Sequence, residues 1–388
     1  MAAIPPLLKD LNERAVLETV RNHAPISRAQ ISRRARISKP TVSVALQSLL
    51  DAGLVRESRD DPDGPSYGAT FFEPVHEAAL VLGFDLGARF LRGAVCDLDG
   101  RIRSRQDVET PNADAARMAE ALVELRDALV AASGLAGELV DRVVVGVPGA
   151  VDRTSRDVRL TNVPGLEGAA FADDLERRLG LPVALENDID LAALGEQWLG
   201  VARGVEDFAF MSIGTGLGAG IVLRGELVRG RHGTAGELDY AHAGLDSDVD
   251  PCAAAVAAYT ERLVAESGEA HALAPPYDAR ATFGAARAGD ALAKQVVAEV
   301  ARRIAVNVVP VAAVADVELV VLGGGLGSNG DLLLEPVRGL LADWVPYPPR
   351  VEVSALSEAA VLTGALSVGL RDALENVFVN RRAPTALA

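Results

Sequence analysis

Four apolar runs in this chain end in glycines: LVLGFDLG (80–87), VDRVVVGVPG (140–149), FAFMSIGTGLGAG (208–220) and VELVVLGGGLG (317–327). A short apolar run stopped by glycine reads as a buried strand entering a tight loop. Helix-forming stretches lie among them: ADAARMAEALVELRDALVAAS, DLAALGEQWL, DALAKQVVAEVARRIAVNVVPVAAVA and, last, SEAAVLTGALSVGLRDAL. Strands alternating with helices indicate an α/β protein. Loops at the strand ends are where ligands sit in such folds.

The chain has 388 residues, room for two or three domains with large cores. No apolar run reaches the length of a membrane span, because Gly, Asp or Arg interrupts each candidate. The first residues, MAAIPPLLKDLNER, lack the basic region and long apolar core of a secretory leader. The two cysteines, Cys96 and Cys252, are far apart, so the reading expects no disulfide scaffold and a cytoplasmic home. Net charge is −16, unevenly spread: residues 1–59 carry +5 and the remainder −21. Only the head is therefore expected to touch nucleic acid.

Within the head, residues 7–23 show helical spacing through Leu8, Leu11, Ala15, Val16, Leu17 and Val20. Ser27 can cap a second helix, RAQISRRA, with Ala29 and Ile31 as its buried side. Ser38 can cap a third, from Lys39, with Pro40 in the first turn, Gly53 as the stop and Val42, Ala45, Leu46 and Leu49 as core stripe. LVRES and YGATFFEP read as two strands of a wing around the turn cluster DDPDGP. The pattern resembles a winged helix-turn-helix over residues 1–60, its wing reaching to about 74. Ser38, Lys39, Thr41, Ser43 and Gln47 are then candidates for base edges, and Arg28, Arg33, Arg34 and Arg36 for phosphates. Residues 61–78 read as wing and linker, holding the head loosely.

The glycine loops occur in the order DLG, GVPG, GTGLGAG, LGGGLG, with ENDID (186–190) between the second and third. That order resembles the ROK family of sugar kinases and sugar-responsive repressors, over about Leu80 to Leu374. The resemblance implies a two-lobed, actin-like, sugar kinase-type body over 79–388. Lobe one would be 79–188 plus the C-terminal helix 357–374, and lobe two 189–356. It implies that Asp188 stands where the family's kinases carry the catalytic base, with Asn187 and Glu237 as sugar contacts. Gly214, Gly216 and Gly218 match the family's second phosphate loop, and Gly323, Gly324 and Gly325 its nucleotide-side loop.

Three departures accompany the resemblance. The first phosphate loop, usually DLGGT, reads DLGAR, with Ala88 and Arg89 in place of a glycine and a threonine. This counts against phosphoryl transfer, which needs an accurately placed donor. The family's zinc histidine is replaced by Tyr240, and its three zinc cysteines fall at Asp250, Cys252 and Ala257. A tetrahedral zinc site needs four N or S donors, which this set lacks even if His242 is added. His232 is a further residue that could line the cleft. The sequence thus indicates a DNA-binding regulator, a repressor acting as a homo-oligomer on a palindromic operator, possessing neither zinc nor ATP. Its effector would be a sugar or sugar phosphate. A sugar kinase with an added domain, or a regulator without a ligand, are the alternatives.

Overall fold

Helix α1 (Pro6–His23), a two-residue strand β1 (Ile26–Ser27), helices α2 (Arg28–Ala35) and α3 (Lys39–Asp51), and strands β2 (Val55–Ser58) and β3 (Phe71–Pro74) form the head. The computed structural model describes residues 6–58, 70–111, 114–161, 163, 165–168, 170–242, 248–268 and 270–380. The DDPDGP turn cluster and residues 61–69 of the expected linker therefore lie outside the described residues. Ser27 caps α2 reciprocally: its hydroxyl accepts from the Gln30 N–H, and the Gln30 side chain accepts from the Ser27 N–H at 2.9 Å. Arg36, in the left-handed conformation at φ 54°, ends that helix. Ser38 caps α3 with Pro40 in the first turn, and Gly53 follows the helix at φ 67°. Strands β1 and β2 flank β3 antiparallel, so the wing carries a third strand that sequence reasoning did not see. Ala29 is exposed, not buried; only Ile31 anchors α2.

The body contains the same sheet twice. The first comprises β4 (Leu80–Leu86), β5 (Phe90–Asp97), β6 (Ile102–Glu109) and β7 (Val140–Val147). A small hairpin, β8 (Ala150–Val151) with β9 (Val158–Arg159), precedes its fifth strand β10 (Val183–Asn187). The second comprises β11 (Phe208–Ile213), β12 (Leu217–Leu223), β13 (Glu226–Leu227), β14 (Leu319–Gly323) and β15 (Arg350–Val353). Each is an antiparallel three-strand meander whose first strand pairs on its other side with two parallel strands: β6-β5-β4-β7-β10 and β13-β12-β11-β14-β15. In the first sheet Asp85 lies opposite Gly146, and Asn187 opposite Val147. In the second, Ser212 lies opposite Gly323. Parallel pairing thus brings the glycine loops and the ENDID segment to the carboxyl ends of neighbouring strands. β6 escaped the sequence reading because it is a polar edge strand, mostly exposed on both faces, with no apolar alternation.

Helices α4 (Ala115–Ser133) and α5 (Ala170–Leu179) pack against the first sheet. Helix α6 (Asp188–Leu199) leaves the first sheet and packs on β11 and β12 of the second. Beyond it come α7 (Ala253–Glu266), α8 (Ala279–Arg287), α9 (Ala291–Ala315), a single turn α10 (Gly324–Gly327), α11 (Gly330–Trp344) and α12 (Ala360–Asn380). Helix α12 leaves the second sheet and packs on β4 and β7 of the first. α6 and α12 cross with their backbones in contact. A Cβ on Gly195 would collide with the Ala360 carbonyl, and one on Gly364 with the Leu191 carbonyl. Glu196, fully buried, accepts from the Ser354 hydroxyl and the Leu356 and Val201 N–H groups at the same junction.

The head is not loosely tethered. One buried cluster joins Val16, Val20, Leu46, Leu54 and Phe72 of the head to Val81, Ala94, Cys96 and Leu98 of the first sheet and to Leu362, Leu366 and Ala373 of α12. Arg21 donates to the Leu98 carbonyl at 3.3 Å, and Leu98 N–H to the His76 carbonyl at 2.9 Å. Residues 70–78, expected as wing and linker, run through β3 and a 3₁₀ turn straight into β4. Among the described residues no helix is long and apolar enough to cross a membrane. In a surface helix a Gly→Ala change gains about 0.5–1 kcal/mol. At Gly364 the sign reverses: Gly364→Ala is expected to cost on the order of 1–3 kcal/mol through overpacking. A lower denaturant midpoint at unchanged m-value would register it.

Candidate functional site

On α3 the buried stripe is Val42, Ala45, Leu46 and Leu49. The opposite face presents Lys39, Pro40, Val44 and Gln47, with Thr41 and Ser43 half-buried. The Ser38 and Thr41 hydroxyls lie 2.8 Å apart, and Ser38 also accepts from the Thr41 N–H, so both serve the cap first. Gln47 donates to Asp51 at 2.9 Å and keeps its carbonyl and a second N–H for other partners. Arg28, Arg33, Arg34 and Arg36 are all exposed; Arg28 stacks on the Phe72 ring at 5.4 Å. Sequence reasoning missed Val44. Its signal was available: an apolar residue off the helical stripe that builds the core.

At the carboxyl ends of the first sheet, Asn187 is the cap of α6, accepting from the Asp190 N–H at 2.9 Å. It also donates to the Gly149 carbonyl at 3.0 Å, which ties the GVPG loop to ENDID. Asp188 follows in the first turn of the helix that Asn187 caps. Asp188 is half-buried, and burial with Asp85 and Glu237 nearby pushes its carboxyl up to about 7. Asp190 is buried beside Glu186 and pushed up to about 8. Glu237 is raised by burial and by Asp239. It is placed by Gly236, at φ 89°, whose carbonyl accepts from the Ala219 N–H of β12 at 2.8 Å. A Cβ on Gly236 would strike the Ala219 carbonyl. Asn187, Asp188 and Glu237 therefore converge from both lobes onto one cleft, as hydroxyl-binding groups would. Arg229 closes the cleft's flank: it donates both of its terminal bonds, each 3.1 Å, across the lobes to buried Glu186. His232 is exposed, its Nδ1 3.4 Å from Asp152.

The three phosphate-type loops differ in what their glycines do. Gly218 makes room for Ile189, Gly323 for the Phe210 ring and Gly324 for the Ile213 backbone, so these are packing glycines. A side chain on Gly216 or Gly325 would meet nothing within 4 Å, and one on Gly214 only the Gly325 N–H. The Gly214 N–H is already given to the Gly216 carbonyl at 3.1 Å and its carbonyl accepts from the Ala253 N–H at 2.9 Å, so this loop is held by its own bonds, while the space beside Gly216 and Gly325 stays open. The first loop is different. Arg89 is exposed over the Phe90 ring at 5.6 Å. Behind it Arg92, with a side chain 11% exposed, contacts Asp85 at 3.1 Å, Asp107 at 3.7 Å and Glu358 at 2.7 Å. Asp85, pushed up to about 6 by burial, is the DLG aspartate, and its charge is answered from within the chain.

The residues at the family's zinc positions do not fit a metal. Tyr240 is exposed, Ala257 has no donor, and Asp250 accepts from the Cys252 N–H at 2.8 Å. Burial pushes the Cys252 thiol up, away from the thiolate a metal needs. His242 lies 2.7 Å from the Asn307 carbonyl oxygen. What holds residues 248–252 is α9. Arg303, 1% exposed, donates to Glu299 at 2.9 Å, Asp248 at 2.7 Å and the Asp250 carbonyl at 2.8 Å, and lies over the Tyr259 ring at 5.1 Å. Asn307 adds a bond to the Val249 carbonyl at 3.0 Å. The Arg303 guanidinium thus organises this segment from within the chain.

The ROK family pattern matches residues 81–371, and the MarR family pattern matches residues 10–64. A xylose repressor of Caldicellulosiruptor bescii is 25% identical, covering 95% of this chain and 97% of its own. A glucokinase of Thermotoga maritima is 30% identical over 74% of this chain and 96% of its own. Among solved structures, a ROK family transcriptional regulator, homolog of the E. coli MLC protein, superposes with a TM-score of 0.78 at 22% identity. It covers 96% of this chain and 98% of that one.

The raised carboxyls set a pH dependence. The folded chain keeps protons on Asp188 up to about 7 and on Asp190 up to about 8. The unfolded chain releases them near the usual Asp value of about 3.9. Their contribution is therefore most favourable at low pH and is lost as pH rises through that window. The Tm is expected to fall between pH 6 and pH 8.5. Asp190→Asn should flatten that fall, and an unchanged slope in calorimetry would contradict the assignment.

Proposed function

The chain belongs to the ROK family, and from that premise we propose that it is a DNA-binding transcriptional repressor working in the cytoplasm. The carrying observation is the head: a capped α3 that turns Lys39, Ser43 and Gln47 outward, flanked by exposed arginines. The MarR-type pattern and the xylose repressor relative support it. Two copies would place two such helices on the half-sites of a palindrome. The cleft would take a sugar or sugar phosphate, with Asn187, Asp188 and Glu237 accepting or donating to hydroxyls and Gly216 offering a backbone N–H group.

In this reading the protein is not a kinase. Arg92 already neutralises Asp85, and DLGAR lacks the small, hydroxyl-bearing loop of the family's kinases. The opposite reading, a sugar kinase, draws on Asp188 held near neutrality and on the glucokinase relative. ATP-dependent phosphorylation across a hexose panel, abolished by Asp188→Asn, would establish it instead.

Selection of sites from a genomic library, with and without sugars, tests the repressor reading; release by one sugar would identify the effector. Arg33→Ala is expected to weaken all sequences alike and to lower the salt slope by about 1. Gln47→Ala should instead relax selectivity at one base by about 1–3 kcal/mol. Failure to enrich any site would end the proposal.

No metal is needed in this reading, because Arg303 holds the 248–252 segment. Chelators should leave the Tm and sugar response unchanged, whereas Arg303→Met, which removes the bonds to Glu299, Asp248 and the Asp250 carbonyl, should cost about 1–3 kcal/mol. A chelator-induced drop in Tm would refute the metal-free assignment.

A further inference from the structure

Val44 is 53% exposed in the middle of α3. At 100° per residue it points almost directly away from Val42, Ala45, Leu46 and Leu49, the residues that anchor the helix. Pro40, one turn before it, and Gln47, one turn after it, share its face and are exposed too. Ser43 lies beside it. The branched side chain gains nothing from the chain's own core, and valine is a middling helix former. Among the described residues of the head the other exposed large apolar side chains, Leu8 and Leu11, lie on α1 and not on α3. An isopropyl group set between Pro40 and Gln47 on one face, with Ser43 beside it, suits a polar surface bearing one isolated apolar group. It does not suit a protein partner, whose contact core is a contiguous apolar area.

The floor of the major groove is such a surface. Its one apolar feature is the C5-methyl group of thymine, presented among hydrogen-bonding edges. We infer that Val44 packs on a thymine methyl in each operator half-site and so fixes one base pair by apolar contact. Lys39, Ser43 and Gln47 supply the polar part of the same readout. The inference rests on the DNA-binding reading above and adds to it a specificity residue of a different chemical kind.

The test uses the full-length protein and the operator recovered by selection. Thymines are replaced one at a time by deoxyuridine, which removes the methyl and nothing else. The wild type is expected to lose roughly fourfold in affinity at one symmetry-related thymine, the worth of one buried methyl group. Val44→Ala should bind the unmodified operator more weakly and no longer distinguish thymine from uracil at that position. Val44→Thr, close in shape, should retain part of the discrimination. Since Val44 is half exposed and outside the head's buried cluster, neither variant should lower the Tm. Selective binding indifferent to every such replacement would overturn the inference and leave the DNA-binding reading standing. So would a Val44→Ala variant that keeps the full uracil penalty, or one whose sedimentation shows a lost self-contact. Failure to enrich any operator would instead remove the reading on which the inference rests.

Discussion

The close crossing of α6 and α12 is the contact on which the rest of the molecule depends. Each helix leaves one sheet and covers the other, so neither lobe has a complete core without its partner's helix. The crossing is possible because Gly195 and Gly364 let backbone meet backbone, where any side chain would collide with a carbonyl. Glu196 locks the same junction through three buried hydrogen bonds, a deep carboxylate kept in place by being fully satisfied. From this joint the duplicated sheets open toward each other. Their strands' carboxyl ends face one cleft, and the glycine loops and acids arrive there together.

Much of this was legible in residue order. The head's three helices follow from apolar spacing and from caps at Ser27 and Ser38, which act within one turn of chain. The glycine loops announced strand ends, because a turn at the end of a buried strand is a local event. What stayed hidden depends on distant partners. β6 is a strand only because β5 offers an edge; its own residues are polar on both faces. Asn187 looked like a sugar contact, yet its amide also bridges to Gly149, thirty-eight positions away in sequence. The head looked separable because residues 61–67 are turn-rich. Its core nevertheless continues into β4, β5 and α12, a continuity no local pattern encodes.

Two arginines organise much of the buried charge in the body. Arg92 and Arg303 are both nearly buried, and each is surrounded by carboxylates from separate elements. A buried guanidinium gathers acids and carbonyls around it and fixes their geometry. Unlike a bound ion it cannot dissociate or exchange. At Asp85 this removes a free carboxylate from the first loop. At residues 248–252 it gives the segment a permanent anchor on α9.

Helix α6 also joins the two functional regions. Its first turn carries Asp188 and Asp190 in the cleft, and its last turn carries Trp198. The Trp198 ring lies against Gly100, in the β5–β6 turn, where a Cβ would come within 3.0 Å of it. Leu98 of that turn accepts from Arg21 near the end of α1. Twelve residues of helix, rigid at this length, thus stand between the groups that face the cleft and the surface on which the head rests. Packed interiors shift between discrete arrangements and do not deform smoothly. A change that repositions the acids of the first turn cannot be absorbed inside α6, whose residues Leu191 to Glu196 are all buried. It can be passed on at the crossing with α12 or at Trp198, and Trp198, with Leu362 and Leu366 of α12, packs on the cluster that carries the head.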